Sequence, residues 1–263
     1  MLGLFDSGLG GLTVLRRVRE LLPAHDLLFF ADQAHLPYGD RSDGELVRLL
    51  EHNVGWLDGR AVEAIVMACN TSCAVADRAG WPPARATVLD LIESAAIAAE
   101  RAGYKKIGVV ATAATARSGS YARQICLRVP DARVTEIGAP KLVPLVEAGL
   151  ADGAAAREAV ADYCAQLPHD LDAVLLACTH YPILDAHFAR ALGESVVRVD
   201  PALVQAERTA TLVRERGLAP GSGITHYTTN GDLGAFRANV ERLMGPLPER
   251  DRIEAVAPLA LRS

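Results

Sequence analysis

Short, wholly apolar runs alternate along this chain with longer stretches in which apolar side chains recur every three or four positions. The first pattern marks strands buried on both faces, and the second marks amphipathic helices. "LGLF" predicts a first strand, followed by the turn "SGLGG" and a helix over "LTVLRRVRELL", where Leu12, Leu15, Val18 and Leu22 share one stripe. "DLLFFAD" predicts a second strand, "QAHLPYGDRS" a turn-rich loop, and then a helix capped by Ser42 with Glu45 three residues on. "AIVMAC" predicts a third strand, with Asn70 as the N-cap of the helix behind it. "ATVLD" and "LIESAAIAAERAG" add a strand and a helix.

The rhythm then restarts. "KKIGVVAT", "RVTEIG", "DAVLLAC" and "SVVRVD" predict strands, separated by helices over "AATARSGSYARQICLRV", "KLVPLVEAG" with "AAAREAVADYCAQL", and "YPILDAHFARAL". A helix over "PALVQAERTATLVRERG" comes next, then weaker strands "ITHYTT" and "RIEAVA" around the helix "LGAFRANVERLM". From Asp6 to Cys69 is 63 residues, and from Thr112 to Cys178 is 66. Each interval runs from the end of one strand to an Ala-Cys at the end of another. The expected fold class is therefore α/β, with two pseudo-symmetric α/β domains of mainly parallel strands. Ligands of such sheets sit beyond the carboxyl ends of the strands, so the active site is expected in the cleft between the domains.

Composition narrows the function. The chain has 263 residues, half of them hydrophobic, and a net charge of -5. No basic cluster accompanies that acidic balance, so no nucleic-acid partner is expected. No apolar run is long enough to span a bilayer, and the chain opens on "LGLF" without a charged leader, so a cytoplasmic protein with no membrane partner is expected. Five irregularly spaced cysteines, Cys69, Cys73, Cys126, Cys164 and Cys178, do not read as a disulfide framework. Lysine is scarce: Lys105, Lys106 and Lys141 are the only ones among 27 basic residues.

Several motifs have a bland and a chemical reading. The turn "DSGLGGLT" suggests an anion site at a helix N-terminus, or only a tight turn that needs positive φ. Asp6 and Ser7 gain interest from their place at a strand's carboxyl end. "PYG", with Tyr38 and Gly39, is alone a plain turn, and Glu147 alone reads as a solvated surface carboxylate. Cys126 and Cys164 fall on apolar helical stripes and read as core filler. Cys73, four residues after Cys69, has neither the spacing of a Cys-x-x-Cys redox pair nor, with Cys178 and His180, an ordinary zinc-ligand spacing, so no metal is expected.

Cys69 and Cys178 stand apart. Each follows a buried strand and precedes a hydrogen-bonding pair, Asn70-Thr71 and Thr179-His180, at an expected helix N-terminus where a thiolate is stabilised. Two opposed thiols suit a reaction in which one removes a proton from carbon and the other returns one to the opposite face, inverting a stereocentre. An ordinary thiol pKa near ~8.5 makes either form accessible. Developing enolate charge would be met by backbone N–H groups and by the Asn and Thr side chains.

The stretches "FDSGLGGLTVLR", "PYG", "ACNT", "RSGSY", "LVPLVEAG" and "ACTHYPIL" together resemble the cofactor-independent aspartate/glutamate racemase family, glutamate racemases above all, along nearly the whole chain. The resemblance implies Cys69 and Cys178 as the acid/base pair, with Asp6, Glu147 and His180 assisting proton transfer. It places Asp6, Ser7, Tyr38, Gly39, Asn70, Thr71, Thr179 and His180 around L- or D-glutamate. It implies no cofactor and a role in supplying D-glutamate for peptidoglycan, and it is compatible with a homodimer. It also implies that the chain returns to its first domain: residues 1–93 with 209–263, and 94–208 for the second. This chain departs from the family in reading "ADQAH", with Gln33 and His35, where Ala-Asp-Thr-Ala-Arg is common, and "SCA" after the first cysteine motif. The rival expectations are an aspartate racemase, a one-cysteine decarboxylase or isomerase of the same superfamily, and a non-catalytic binder of a small anion.

Overall fold

Two parallel sheets carry the chain, and both are wound in the same order. The computed structural model describes residues 1–259. The first unit contains β1 (Leu2–Asp6), α1 (Leu12–Leu21), β2 (Leu27–Ala31), α2 (Asp43–Asp58), β3 (Ala64–Met67), α3 (Asn70–Ala79) and β4 (Thr87–Leu89). After α4 (Leu91–Ala102) come β5 (Lys106–Ala111), α5 (Ala113–Ser118), α6 (Ser120–Arg128), β6 (Arg133–Gly138), α7 (Leu142–Glu147) and α8 (Ala154–Cys164). The chain continues through β7 (Ala173–Ala177), α9 (Asp185–Leu192), β8 (Val197–Val199), α10 (Ala202–Arg216), β9 (Thr225–Thr229), α11 (Leu233–Met244) and β10 (Arg252–Ala255).

The larger sheet runs β10-β9-β2-β1-β3-β4 and the smaller β6-β5-β7-β8, with all pairings parallel. The block β2-β1-β3-β4 therefore repeats as β6-β5-β7-β8, which is the internal repeat expected from the spacing of Asp6, Cys69, Thr112 and Cys178. In this order the chain reverses direction across the sheet beside its first strand, and the crevice opens there. Between β1 and β3 the crevice holds the ends Asp6 and Met67; between β5 and β7 it holds Ala111 and Ala177.

The apolar runs are strands because both faces of each sheet are covered. Leu2, Leu4 and Phe29 pack beneath α1 and α10, while Phe5, Phe30 and Met67 pack on the other face. That second cluster continues without a break into Ile107, Val109, Tyr121 and Leu175 of the second unit. Burial of this shared apolar surface holds the two units together on one side of the cleft. The Ser42 capping box is formed as expected, with the Ser42 side chain accepting from the Glu45 N–H.

Two local expectations, the N-cap of α3 and the burial of Cys126, need revision, while the loop after β2 and the 208/209 position gain detail. The N-cap position of α3 is Cys69, while Asn70 is the first helical residue and accepts from the Tyr121 hydroxyl. The loop after β2 contains two single 3-10 turns, Gln33–His35 and Tyr38–Asp40, and the Leu36–Pro37 bond is cis. The boundary expected at 208/209 falls inside α10, a continuous helix that packs on the larger sheet. Its buried Gln205 donates to the carbonyls of Met67 (2.9 Å) and Leu89 (2.8 Å), pinning the strand that precedes Cys69. Cys126 is half-buried rather than a core residue. No helix among the described residues is long and apolar enough to cross a membrane.

Candidate active site

Cys69 and Cys178 line one cavity at the carboxyl ends of β3 and β7, each from a different unit. Asp6, Ser7, Tyr38, Gly39, Asn70, Thr71, Thr179 and His180 line it too, so the expected substrate residues converge there. Glu147 lies one layer behind. The cavity wall is completed by apolar groups, among them Pro37, Val143 and Pro144. Both sulfurs are well covered, Cys69 at 3% and Cys178 at 6% exposure.

The glycine-rich turn after β1 has a different role from either expected one. Asp6 Oδ2 accepts from the N–H groups of Gly8 (3.2 Å) and Gly11 (2.8 Å), so the anion at this turn is the protein's own carboxylate. Gly11 lies at φ -60°, and neither Gly8, Gly10 nor Gly11 has positive φ. Their smallness serves close approach instead. A Cβ on Gly10 would overlap Thr179 Oγ1 and sit 2.8 Å from His180 Nδ1, and one on Gly11 would overlap Asp6 Cβ. The turn of the first unit is thus pressed against the Thr179-His180 pair of the second. Gly39 makes a second such approach, its would-be Cβ lying 3.2 Å from Thr112 Cβ.

Hydroxyls close the opposite side. The Oγ1 atoms of Thr71 and Thr112 are 3.0 Å apart, and Thr115 completes the triangle at 3.0 Å from Thr112 and 3.3 Å from Thr71. Thr112 also caps α5. Sequence reasoning missed Thr112 as a site residue, although it directly follows β5, the strand equivalent to β1. Asn70 uses its side-chain oxygen on Tyr121, which leaves its NH2 as the group to offer the cavity.

The two sulfurs have unlike neighbours. Cys69 Sγ lies 3.6 Å from Ser7 Oγ, and burial, with the Asp6 carboxylate adding to it, pushes its thiol up to about 11. The thiolate stabilisation expected from the α3 N-terminus is outweighed there. Cys178 Sγ faces His180 Nδ1 at 3.7 Å. The expected helix behind it begins as a short 3-10 turn, Tyr181–Leu184, before α9. His180 Nε2 meets Glu147 Oε1 at 2.6 Å. Burial opposes charge on His180, but Cys178 and Glu147 together outweigh it and hold the imidazole well above its ordinary value. Glu147 is correspondingly held below the usual carboxylate range: His180 and the Leu9 N–H outweigh its burial. Glu147 is therefore a half-buried ion-pair partner of His180, not a solvated surface acid. Burial lifts Asp6 to about 6, against the lowering pull of His180 and the turn's N–H groups.

Cys73 turns away from the cavity. It is fully buried beside the carboxyl of Asp90, and burial followed by that carboxyl raises it well above an ordinary thiol. Among the described residues no group of three or more His, Cys, Asp and Glu side chains is arranged to hold a metal ion. Lys105 and Lys106 pair with Asp131 and Asp170 at the far end of β5, and Lys141 is exposed at the start of α7.

Comparison with known proteins identifies relatives along nearly the whole chain. Residues 11–209 match the family described as Asp/Glu/Hydantoin racemase. The chain is 39% identical over 258 residues to a glutamate racemase of Desulforudis audaxviator, covering 94% of each. It is similar to the crystal structure of a Thermus thermophilus glutamate racemase in complex with β-chloro-D-alanine: TM-score 0.83, 36% identity, 99% of this chain and 96% of that one. It is also similar to a Francisella tularensis glutamate racemase in complex with D-glutamate: TM-score 0.85, 27% identity, 98% and 97% covered.

Proposed function

The chain belongs to the Asp/Glu/Hydantoin racemase family, and from that premise we propose that it is a glutamate racemase whose two bases are Cys69 and Cys178. The observation that supports this most is the pair of thiols facing one enclosed cavity from equivalent strand ends of two units. Substrate lies with its α-carbon between the sulfurs. One thiolate takes the α-proton, the electron pair passes into the carboxylate as an enolate, and the opposite thiol donates its proton to the other face. Each turnover leaves the sulfur protonation states exchanged, so the reverse reaction uses the same groups in opposite roles.

The surroundings suit this assignment. The positive charge favoured on His180 sits beside Cys178, where it offsets negative charge on that sulfur during proton transfer, while burial favours Cys69 as the thiol. The neighbouring His180 suits Cys178 to deprotonating L-glutamate, the direction the family resemblance assigns to that cysteine. The Asn70 NH2 and the Thr71, Thr112 and Thr179 hydroxyls supply neutral donors for two carboxylates. Asp6 stands ready for the substrate ammonium or as a relay to Cys69. The biological role proposed with this activity is D-glutamate supply for peptidoglycan in the cytoplasm. Loss of optical rotation from L-glutamate, compared with L-aspartate at equal concentration, tests the reading. Faster turnover of aspartate would overturn the substrate assignment.

A further inference from the structure

We infer that the C-terminal tail is a latch on the active-site loop, with the Leu259 carbonyl holding the Tyr38-bearing segment in place through the His35 ring. As a statement about racemisation it rests on the function proposed above; as a statement about the loop it does not.

The loop Gln33–Asp40 hangs on one carboxylate. Asp32, fully buried at the end of β2, accepts from the Tyr38 hydroxyl and from Asn53 Nδ2 (3.2 Å) on one oxygen. Its other oxygen meets Asn230 Nδ2 and His35 Nδ1, the latter at 2.5 Å. The Asp32 N–H donates to the Asp6 carbonyl at 3.0 Å, so this cluster is tied directly to the strand end that enters the cavity. Asn230 Oδ1 accepts from the Ala34 N–H (2.9 Å), and Arg41 Nε donates to the His35 carbonyl (2.6 Å).

His35 has a second ring nitrogen, and burial denies it bulk water: the residue is 7% exposed although it lies in a loop. A buried polar atom left without a partner is costly. The partner is Leu259 O, 3.0 Å from Nε2. The tail reaches that point after its last bond to the larger sheet, from the Val256 N–H to the Thr229 carbonyl (2.8 Å). Val256 and Leu259 pack against the same apolar cluster that contains Tyr38. The tail thus both fills the hydrogen-bonding need of His35 and covers the loop from outside, while Tyr38 and Gly39 face the cavity from inside. His35 and Leu259 are positioning residues: they act on substrate only through Tyr38 and its neighbours.

Three variants test the latch: a chain ending at Val256, His35→Ala, and the two combined. Hydrogen exchange of the backbone amides over Gln33–Arg41 reads the loop without reference to activity. Steady-state kinetics with L-glutamate read its consequence. Each single variant is expected to speed exchange in that segment and raise KM about three- to tenfold, the scale of one lost hydrogen bond, with kcat within about twofold. The combined variant is expected to be no worse than His35→Ala alone, because the tail acts on the loop through the His35 ring. A merely structural role would lower the folded fraction, reducing apparent kcat at unchanged KM, and that result overturns the proposal. So does a truncated chain with unaltered exchange and KM, which would also dispose of the latch if His35→Ala proves too unstable to study. A wild-type protein inactive on glutamate refutes the function but leaves the exchange measurement to decide the latch.

Discussion

His180 Nε2 lies 2.6 Å from Glu147 Oε1, and this bond fixes how the ring's other nitrogen meets Cys178. The imidazole is held as a buried cation between a carboxylate and a sulfur. Glu147→Gln should remove the charge that keeps it so, and proton removal at Cys178 should slow by about ten- to a hundredfold. The pH profile should shift as well. His180 is raised in the folded state, so its contribution to stability is complete below about pH 6.5 and fades as pH rises through the elevated value. Glu147 is lowered, so its share is present above its ordinary value and fades as pH falls. Wild-type melting temperature should therefore fall on both sides of this window, and Glu147→Gln should flatten both limbs. Equal dependence in wild type and variant would contradict the pairing.

Replacing Cys69 or Cys178 by Ala should abolish racemisation in both directions, by at least about a thousandfold, since every turnover needs an acid and a base. Cys73→Ala should keep the activity and lower stability by about 1 kcal/mol, as expected for a small buried side chain that does not reach the cavity. In heavy water the product formed in the first turnovers should carry deuterium at the α-carbon, because the donating thiol is not the one that took the proton. Mass spectrometry showing retained hydrogen would refute the two-base scheme.

Asp6 presents a trade between stability and chemistry. Its folded pKa of about 6 lies above that of an unfolded carboxyl, so ionisation in place destabilises the fold. The destabilisation is absent at low pH and develops as pH rises through about 6, reaching roughly 2 to 3 kcal/mol at about 1.4 kcal/mol per unit. Asp6→Asn keeps an acceptor for Gly8 and Gly11. It should melt at a higher temperature than wild type at pH 7.5, melt alike near pH 4, and turn over far more slowly. A variant less stable at pH 7.5 would show that the ionised form is better solvated than its burial indicates.

Gly10→Ala tests the closeness of the two units. The added methyl must displace Thr179 and His180, which are backed by Glu147 and the β7 end. Turnover should fall at least a hundredfold, the scale set by ~1 Å misplacement of reacting groups, while the circular dichroism spectrum is unchanged. Small-angle scattering should show a more open particle than wild type. Near-normal kinetics would mean that the turn yields freely.

The alternation of apolar runs and helical stripes was enough to locate every strand of both sheets, because burial on two faces leaves a periodicity that neighbours along the chain display by themselves. The repeated Ala-Cys likewise pointed to the two thiols before any fold was known. Beside that local signal, Glu147 looked like a solvated acid; only α7 folding back over the β7 end gives it His180 as a partner 33 residues away. Cys73 and Cys69 share one motif, yet a single helical turn points one at Asp90 and leaves the other in the cavity. Asp32 and Thr112 drew no notice as site-shaping residues, although each sits at a strand end. Their importance comes from groups brought in by other elements: Asn53, Asn230 and His35 for one, Thr71 and Gly39 for the other. Secondary structure is set by the water each residue must avoid or keep, which is a property of the local chain. Ionisation and hydrogen-bond partnership in the cleft depend on which distant groups share the same small, dry space, and that is decided when the two units pack.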